Sequence, residues 1–174
     1  LQKVCEVLEN RYPAGEIGSI PFDVTDYPSV TSAYEEISRR IGGIDVVVPN
    51  AGIAHVARIE DLDPHKLDQV IEVNFKGTLN TIKAAIPIFR RQGSGGNVVV
   101  ISSKNVFDPG AAFGAYSASK AGAHQISKIA ALELAPLKVR VNMINPDAVF
   151  GDEHISSNLW NRIGPERMKS RGLD

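Results

Sequence analysis

The chain has almost no cysteine: Cys5 is the single thiol among 174 residues. One thiol excludes an internal disulfide, and with four scattered histidines there is no metal-ligand cluster. Packing is the role left to Cys5. Long apolar runs are missing as well, none approaching the roughly 20 residues of a membrane span. No signal peptide pattern opens the chain, so it reads as cytoplasmic. An excess of either charge is absent: 19 basic residues face 20 acidic ones, with no basic block. Nucleic acid and anionic membranes therefore find no electrostatic footing, and a small-molecule partner fits better. Internal repeats and low-complexity linkers are lacking. The one glycine-rich stretch, GSGGN at 93–97, precedes an apolar run instead of following one, so it reads as a turn and not as a phosphate loop.

What is present is core-forming. With 43% apolar residues, a chain of this length can build a single domain with a real interior. Four apolar runs, EIGSIPFDV, IDVVVPNAG, GNVVVISS and KVRVNMINP, alternate with longer stretches of helical period. The residues VVV at 46–48 and again at 98–100 are continuous rather than alternating, the pattern of parallel strands buried on both faces. Helices are expected at 28–41, 64–91 and 111–134. The chain also opens inside a helical pattern, with Leu1, Val4, Cys5 and Leu8 on one face. Strands alternating with helices indicate an α/β layered domain with a parallel sheet.

Each apolar run ends in something polar: Asp23, Asn50, the pair Ser102 and Ser103, then Asn145 and Pro146. Open α/β sheets bind ligands at the carboxyl ends of their strands, so these ends outline a cleft. Taken singly, each is equally a helix cap or a turn former. The helix beginning near Pro64 places Asn74 on the same face as Leu67, Val70 and Ile71. A buried amide there needs partners, and Gly77 weakens the same turn. In AYSASKAGAH, Tyr116 lies four residues before Lys120, so the phenol and the ammonium share a helix face.

Those residues carry a resemblance. DVTD (23–26), NAG (50–52), VNFKGT (73–78), VVVISS (98–103), YSASK (116–120) and VRVNMINP (139–146) follow one another as in the short-chain dehydrogenases/reductases, across essentially the whole chain. The resemblance implies a doubly wound, Rossmann-like parallel sheet and NAD or NADP as cofactor. It implies a catalytic set of Asn74, Ser103, Tyr116 and Lys120. Tyr116 would exchange a proton with the substrate oxygen, Ser103 would hold that oxygen, and Asn74 would help position a relay water. Lys120 would lower the phenol pKa, since a neighbouring ammonium favours phenolate. Ser103, thirteen residues before Tyr116, matches the family interval, and Ser102 would face the other side of the strand. Asp23 and Val24 would flank the adenine, with Asn50, Ala51 and Gly52 beside the ribose. Tyr116 belongs to the cofactor contacts too, and Lys120 reaches the nicotinamide ribose.

The chain departs from the family pattern in informative places. The glycine loop TGxxxGxG and the residue selecting NAD from NADP are absent, and the resemblance places both before Leu1. Residues 1–174 are thus expected to be a partial dinucleotide-binding domain, incomplete at both ends, which binds cofactor poorly by itself. INPD at 144–147 puts Asp147 where relatives carry glycine. This carboxylate either caps its own loop or faces substrate hydroxyls. SSKNVFDPGAAFGAYSASK together with INPDAVFGD resembles the dehydrogenase half of bifunctional aldolase/short-chain dehydrogenases. That implies a hydroxylated aldehyde such as lactaldehyde, with Lys104, Asn105 and Asp147 in the pocket. The segment 147–174 corresponds to the start of the family's substrate lid, where Trp160 is read as packing. A homodimer or homotetramer is implied through the helices of Asn74 and Tyr116, although Ala121, Gly122 and Ala123 serve internal packing equally well. The competing reading is a catalytically silent nucleotide-binding or assembly domain.

Overall fold

In the computed structural model, residues 2–13, 17–149, 163, 164 and 169 are described. The chain divides into two compact units, one of Leu1–Ser19 with Asp147–Asp174 and one of Ile20–Pro146. In the first, helix α1 covers Gln2–Arg11 and carries the free Cys5, half-buried. Trp160 and most of the segment expected to begin a lid lie outside the described residues.

The second unit is a parallel α/β layer. Helix α2 (Tyr27–Ile41) has Pro28 in its first turn and stops at Gly42, whose φ of 84° supplies a left-handed cap bonded to the Ser38 carbonyl. Strand β1 is short (Val46–Val47), followed in space by β2 (Gly96–Ile101) and β3 (Val139–Ile144). Both pairings are parallel, with Val47 opposite Val98 and Val98 opposite Val141. Helix α3 (Pro64–Ile71) starts at Asp63, whose carboxylate accepts from the His65 backbone. It runs directly into one π-turn, Glu72–Lys76, and then α4 (Gly77–Gln92). Helix α5 (Gly114–Leu134) completes the layer.

One sheet face carries the core. Val47, Val98, Val100, Val139 and Val141 join Val30 and Tyr34 of α2, Ile82, Ile88 and Phe89 of α4, and Ala130 and Leu134 of α5 in a single buried cluster. Burying these side chains, roughly 1.5–3 kcal/mol each, is the principal favourable term for the layer.

Three sequence expectations need correction. Residues 17–23 form no strand, because none of the described strands lies against them and an extended segment becomes a strand only by pairing. The run 46–48 is not buried on both faces: Val47 is buried, while Val46 and Val48 are 54% and 52% exposed. The helices of this unit cover the face of Val47, so continuity of apolar residues overstated burial at β1. The third helix begins at Gly114 and not at Ala111, because Ala112 has a positive φ of 65° and Phe113 bridges to Ala57. Helix 28–41 and the parallel pairing of 96–101 with 139–144 are found as read, whereas the helix read at 64–91 is interrupted by the π-turn at 72–76.

Candidate active site

The site is assembled where β2 ends against α5 and the π-turn. Asn74 is completely buried and all its amide atoms have partners. Its Oδ1 accepts from Ile53 N at 2.8 Å, and its Nδ2 donates to Ile53 O and to Ser119 Oγ, both at 2.9 Å. Ser119 Oγ in turn donates to the Tyr116 carbonyl at 2.7 Å. One amide thus ties the loop after NAG to the first turn of α5. The π-turn is the local feature that accommodates it, an insertion of the kind found within α-helices at functional sites. Thr78 Oγ1 donates to the Asn74 carbonyl at 2.7 Å.

Lys120 is 5% exposed and donates to the Ile101 carbonyl at 2.7 Å. Its ammonium lies 5.9 Å from the Tyr116 ring centroid. Burial pulls its pKa down to about 8, because desolvation disfavours the charged form. Gly52 leaves the corner beside it open: a Cβ there would stand 3.4 Å from Asn74 Oδ1 and 3.6 Å from Lys120 Nζ. Among the hydrogen bonds of the described residues, Lys120 uses one of its three donors, so this corner suits hydroxyl groups of a bound sugar.

Tyr116 packs edge-on to Phe113, with ring centroids 6.2 Å apart. Burial raises its pKa above the ordinary phenol value, and a hydrogen bond with the Ser103 side chain acts in the opposite sense. The expectation that Lys120 lowers this pKa is therefore corrected. The ammonium is directed to the Ile101 carbonyl, and desolvation of the phenolate prevails. Ser103 is buried and accepts from Asn105 N at 3.2 Å, which leaves its own proton to give. Ser102 faces elsewhere, its Oγ 3.5 Å from His124 Nδ1.

The structure thus brings together Asn74, Ser103, Tyr116, Lys120 and Gly52. Asn105 is buried beside Ser103, and Lys104 lies 3.7 Å from Asp108. Asn50 and Ala51 are exposed on the loop leading to Gly52. Asp23 and Val24 form a separate turn against α4, through Val24 and Asn80. Asp147 belongs to the other compact unit and is exposed. Gly122 meets the Phe75 ring, a Cβ there approaching it to 3.3 Å, and Ala123 is buried, so these two small residues serve packing within the chain. Sequence reading missed Ser119, Ile53 and the Ile101 carbonyl. Ser119 sits inside YSASK and had a signal, a serine three residues from Tyr116 on one helix face; the backbone groups had none.

A parallel sheet with a buried lysine, a tyrosine and a serine at its carboxyl edge defines a nucleotide-binding α/β fold of dehydrogenase type. The family model for short chain dehydrogenases matches residues 1–160, and the chain belongs to that family. It is 35% identical over 130 residues to trans-4-hydroxycyclohexanecarboxylate dehydrogenase of Sinomonas cyclohexanicum, covering 75% of this chain and 49% of that protein. To YuxG of Bacillus subtilis (strain 168), an uncharacterized oxidoreductase, it is 30% identical over 173 residues, 99% of this chain and 25% of that one. The fold is similar to an alcohol dehydrogenase of the archaeon Thermococcus sibiricus complexed with 5-hydroxy-NADP. There the TM-score is 0.78 at 28% identity, over 86% of this chain and 62% of the other. The chain spans from a quarter to about three fifths of the length of the curated relatives it matches.

Proposed function

We propose that this chain is the catalytic portion of an NAD(P)-dependent oxidoreductase that interconverts an alcohol and a carbonyl compound. The observation that carries this reading is the buried Lys120, bonded to the Ile101 carbonyl beside Gly52 and one helical turn from Tyr116, with its ammonium 5.9 Å from that ring. The residues present fit the cofactor: the open corner at Gly52 and the unused donors of Lys120 suit its ribose, and the Asp23–Val24 turn suits its adenine. When bound, NAD(P) exchanges a hydride with the substrate carbon.

The chain's own residues would manage the oxygen. In reduction, Tyr116 gives its proton to the developing alkoxide and Ser103 donates a hydrogen bond to the same oxygen. Burial keeps the phenol in the protonated form that this step requires. In oxidation the phenolate form of Tyr116 would take the proton, a form that burial disfavours. Asn74 braces the loop and helix that hold these groups.

A finer reading is a hydroxylated aldehyde or its alcohol as substrate, within a bifunctional aldolase/dehydrogenase. The match to YuxG, nearly the whole of this chain against a quarter of that protein, supports a longer architecture. Lys104 and Asn105 are the candidate substrate contacts, and a homodimer or homotetramer is the proposed assembly. The test uses the whole gene product. Tyr116→Phe should lower kcat by about 10²–10⁴-fold, the range of general acid–base catalysis, while the Kd for NAD(P) by fluorescence titration stays within about twofold. Turnover retained in that variant refutes the assignment.

A further inference from the structure

The turn formed by Asp23, Val24 and Thr25 is well made within itself but lies on the surface. Asp23 Oδ1 accepts from both Thr25 N and Thr25 Oγ1 at 2.8 Å, and Asp26 N donates to the Asp23 carbonyl at 3.1 Å. Asp23, Thr25 and Asp26 are all exposed. Among the described residues, the hydrogen bond that ties this turn to another element comes from Asn80 of α4, whose Nδ2 donates to the Val24 carbonyl at 2.8 Å. The same residue is met by α4 a second time. At Gly77, three residues before Asn80, a Cβ would stand 2.8 Å from Val24 Cγ2 and 3.1 Å from its Cβ. Val24 therefore rests in a notch that only glycine leaves open, and is latched there by an amide on the same helix face.

We propose that Asn80 and Gly77 position the Asp23–Val24 turn and thereby set the affinity for the adenosine end of the dinucleotide. This inference rests on the reading of the site given above. It makes Asn80 a positioning residue, acting through Val24. The backbone and carboxylate of this turn are the groups an adenine edge would meet, and their placement depends on a helix whose opening residues continue the π-turn of Asn74. The adenosine half and the reacting half of the cofactor site are thus hung from one continuous segment, 72–80. The two attachments are chemically separable: Asn80 and Gly77 touch Val24, whereas Asn74 touches Ile53 and Ser119.

The experiment compares Asn80→Asp, which keeps the shape but removes the donor, with Gly77→Ala, which fills the notch, both in the whole gene product. AMP and nicotinamide mononucleotide are each measured as competitive inhibitors against NAD(P), with thermal unfolding as the control for folding. Both variants should raise the AMP inhibition constant about fivefold or more, the scale of one lost hydrogen bond. The nicotinamide mononucleotide constant should stay within about twofold, and the change in turnover should appear in the cofactor KM more than in kcat. An unchanged AMP constant in both variants of an active enzyme overturns the inference alone. Equal weakening of both fragments in stably folded variants overturns it too, since a general disturbance would do that. A wild-type protein that neither turns over nicotinamide nor is inhibited by either fragment removes the underlying reading, and this inference with it.

Discussion

Lys120 and Tyr116 show how much a residue's surroundings alter what its type suggests. Spacing alone pairs the ammonium with the phenol, yet the fold gives the ammonium a backbone carbonyl and raises the phenol pKa through burial. The sign of the pH dependence follows. Lys120 titrates at about 8 in the folded chain against an ordinary 10.5, so between those values the unfolded state binds the extra proton. Stability should therefore rise with pH from 8 towards 10.5, by up to about 3 kcal/mol. Urea midpoints measured across this window should show the rise, and Lys120→Met should flatten it. The opposite trend comes from Tyr34, raised from 10.0 to about 12 by burial, whose share of stability is lost as pH climbs through that interval. Asn74→Leu should destabilise by about 2–4 kcal/mol, because the N–H and C=O of Ile53 lose their partner together. Chemical denaturation measures that, and a change below about 0.5 kcal/mol would contradict the brace. Tyr116, Lys120, Ser103 and Asn74 were all legible as candidates. Their partners were not, since Asn74 reaches 21 and 45 residues along the chain and Lys120 reaches 19.

Among the elements, the helix 64–91 illustrates a partial reading. Its periodicity and its weak turn at Asn74 and Gly77 were visible, and the structure converts that weakness into a π-turn between α3 and α4. The strands divide similarly. Those at 96–101 and 139–144 are found with a parallel register, whereas 17–23 pairs with none of the described strands and only Val46–Val47 of the run 44–52 joins the ladder. Close packing at the sheet's start gives a sharp test. A Cβ on Gly96 would stand 2.8 Å from Phe89 Cδ1, and Phe89 is 1% exposed and enclosed by core side chains. Gly96→Ala should therefore cost about 1–3 kcal/mol through overpacking, read as a lower urea midpoint. An unchanged midpoint would mean that Phe89 has room to move.

For the molecule as a whole, size and charge pointed to a small-molecule partner. Among the described residues no helix is long and apolar enough to cross a membrane, and no group of metal ligands converges. The sequence contains no TGxxxGxG loop, and the contacts proposed for the cofactor reach its ribose and adenine. The 174-residue polypeptide alone should accordingly bind NAD(P) no better than about millimolar in calorimetry, because none of the proposed contacts is a helix N-terminus or backbone cradle for the charged pyrophosphate. A micromolar Kd would overturn this. Sedimentation of the whole gene product tests the proposed dimer or tetramer, and a monomer at micromolar concentration would refute it.

The sequence by itself determined the α/β class, the helical faces, the family and the identity of the candidate reactive residues, since all of these depend on local periodicity and on motifs of short span. Only the tertiary structure decided which strands find neighbours, which way the Tyr116 pKa moves and what holds Asn74, Lys120 and the Val24 turn in place. Those outcomes depend on burial and on hydrogen bonds between segments far apart in the chain, and a linear pattern does not encode which backbone carbonyl a buried amide or ammonium will meet.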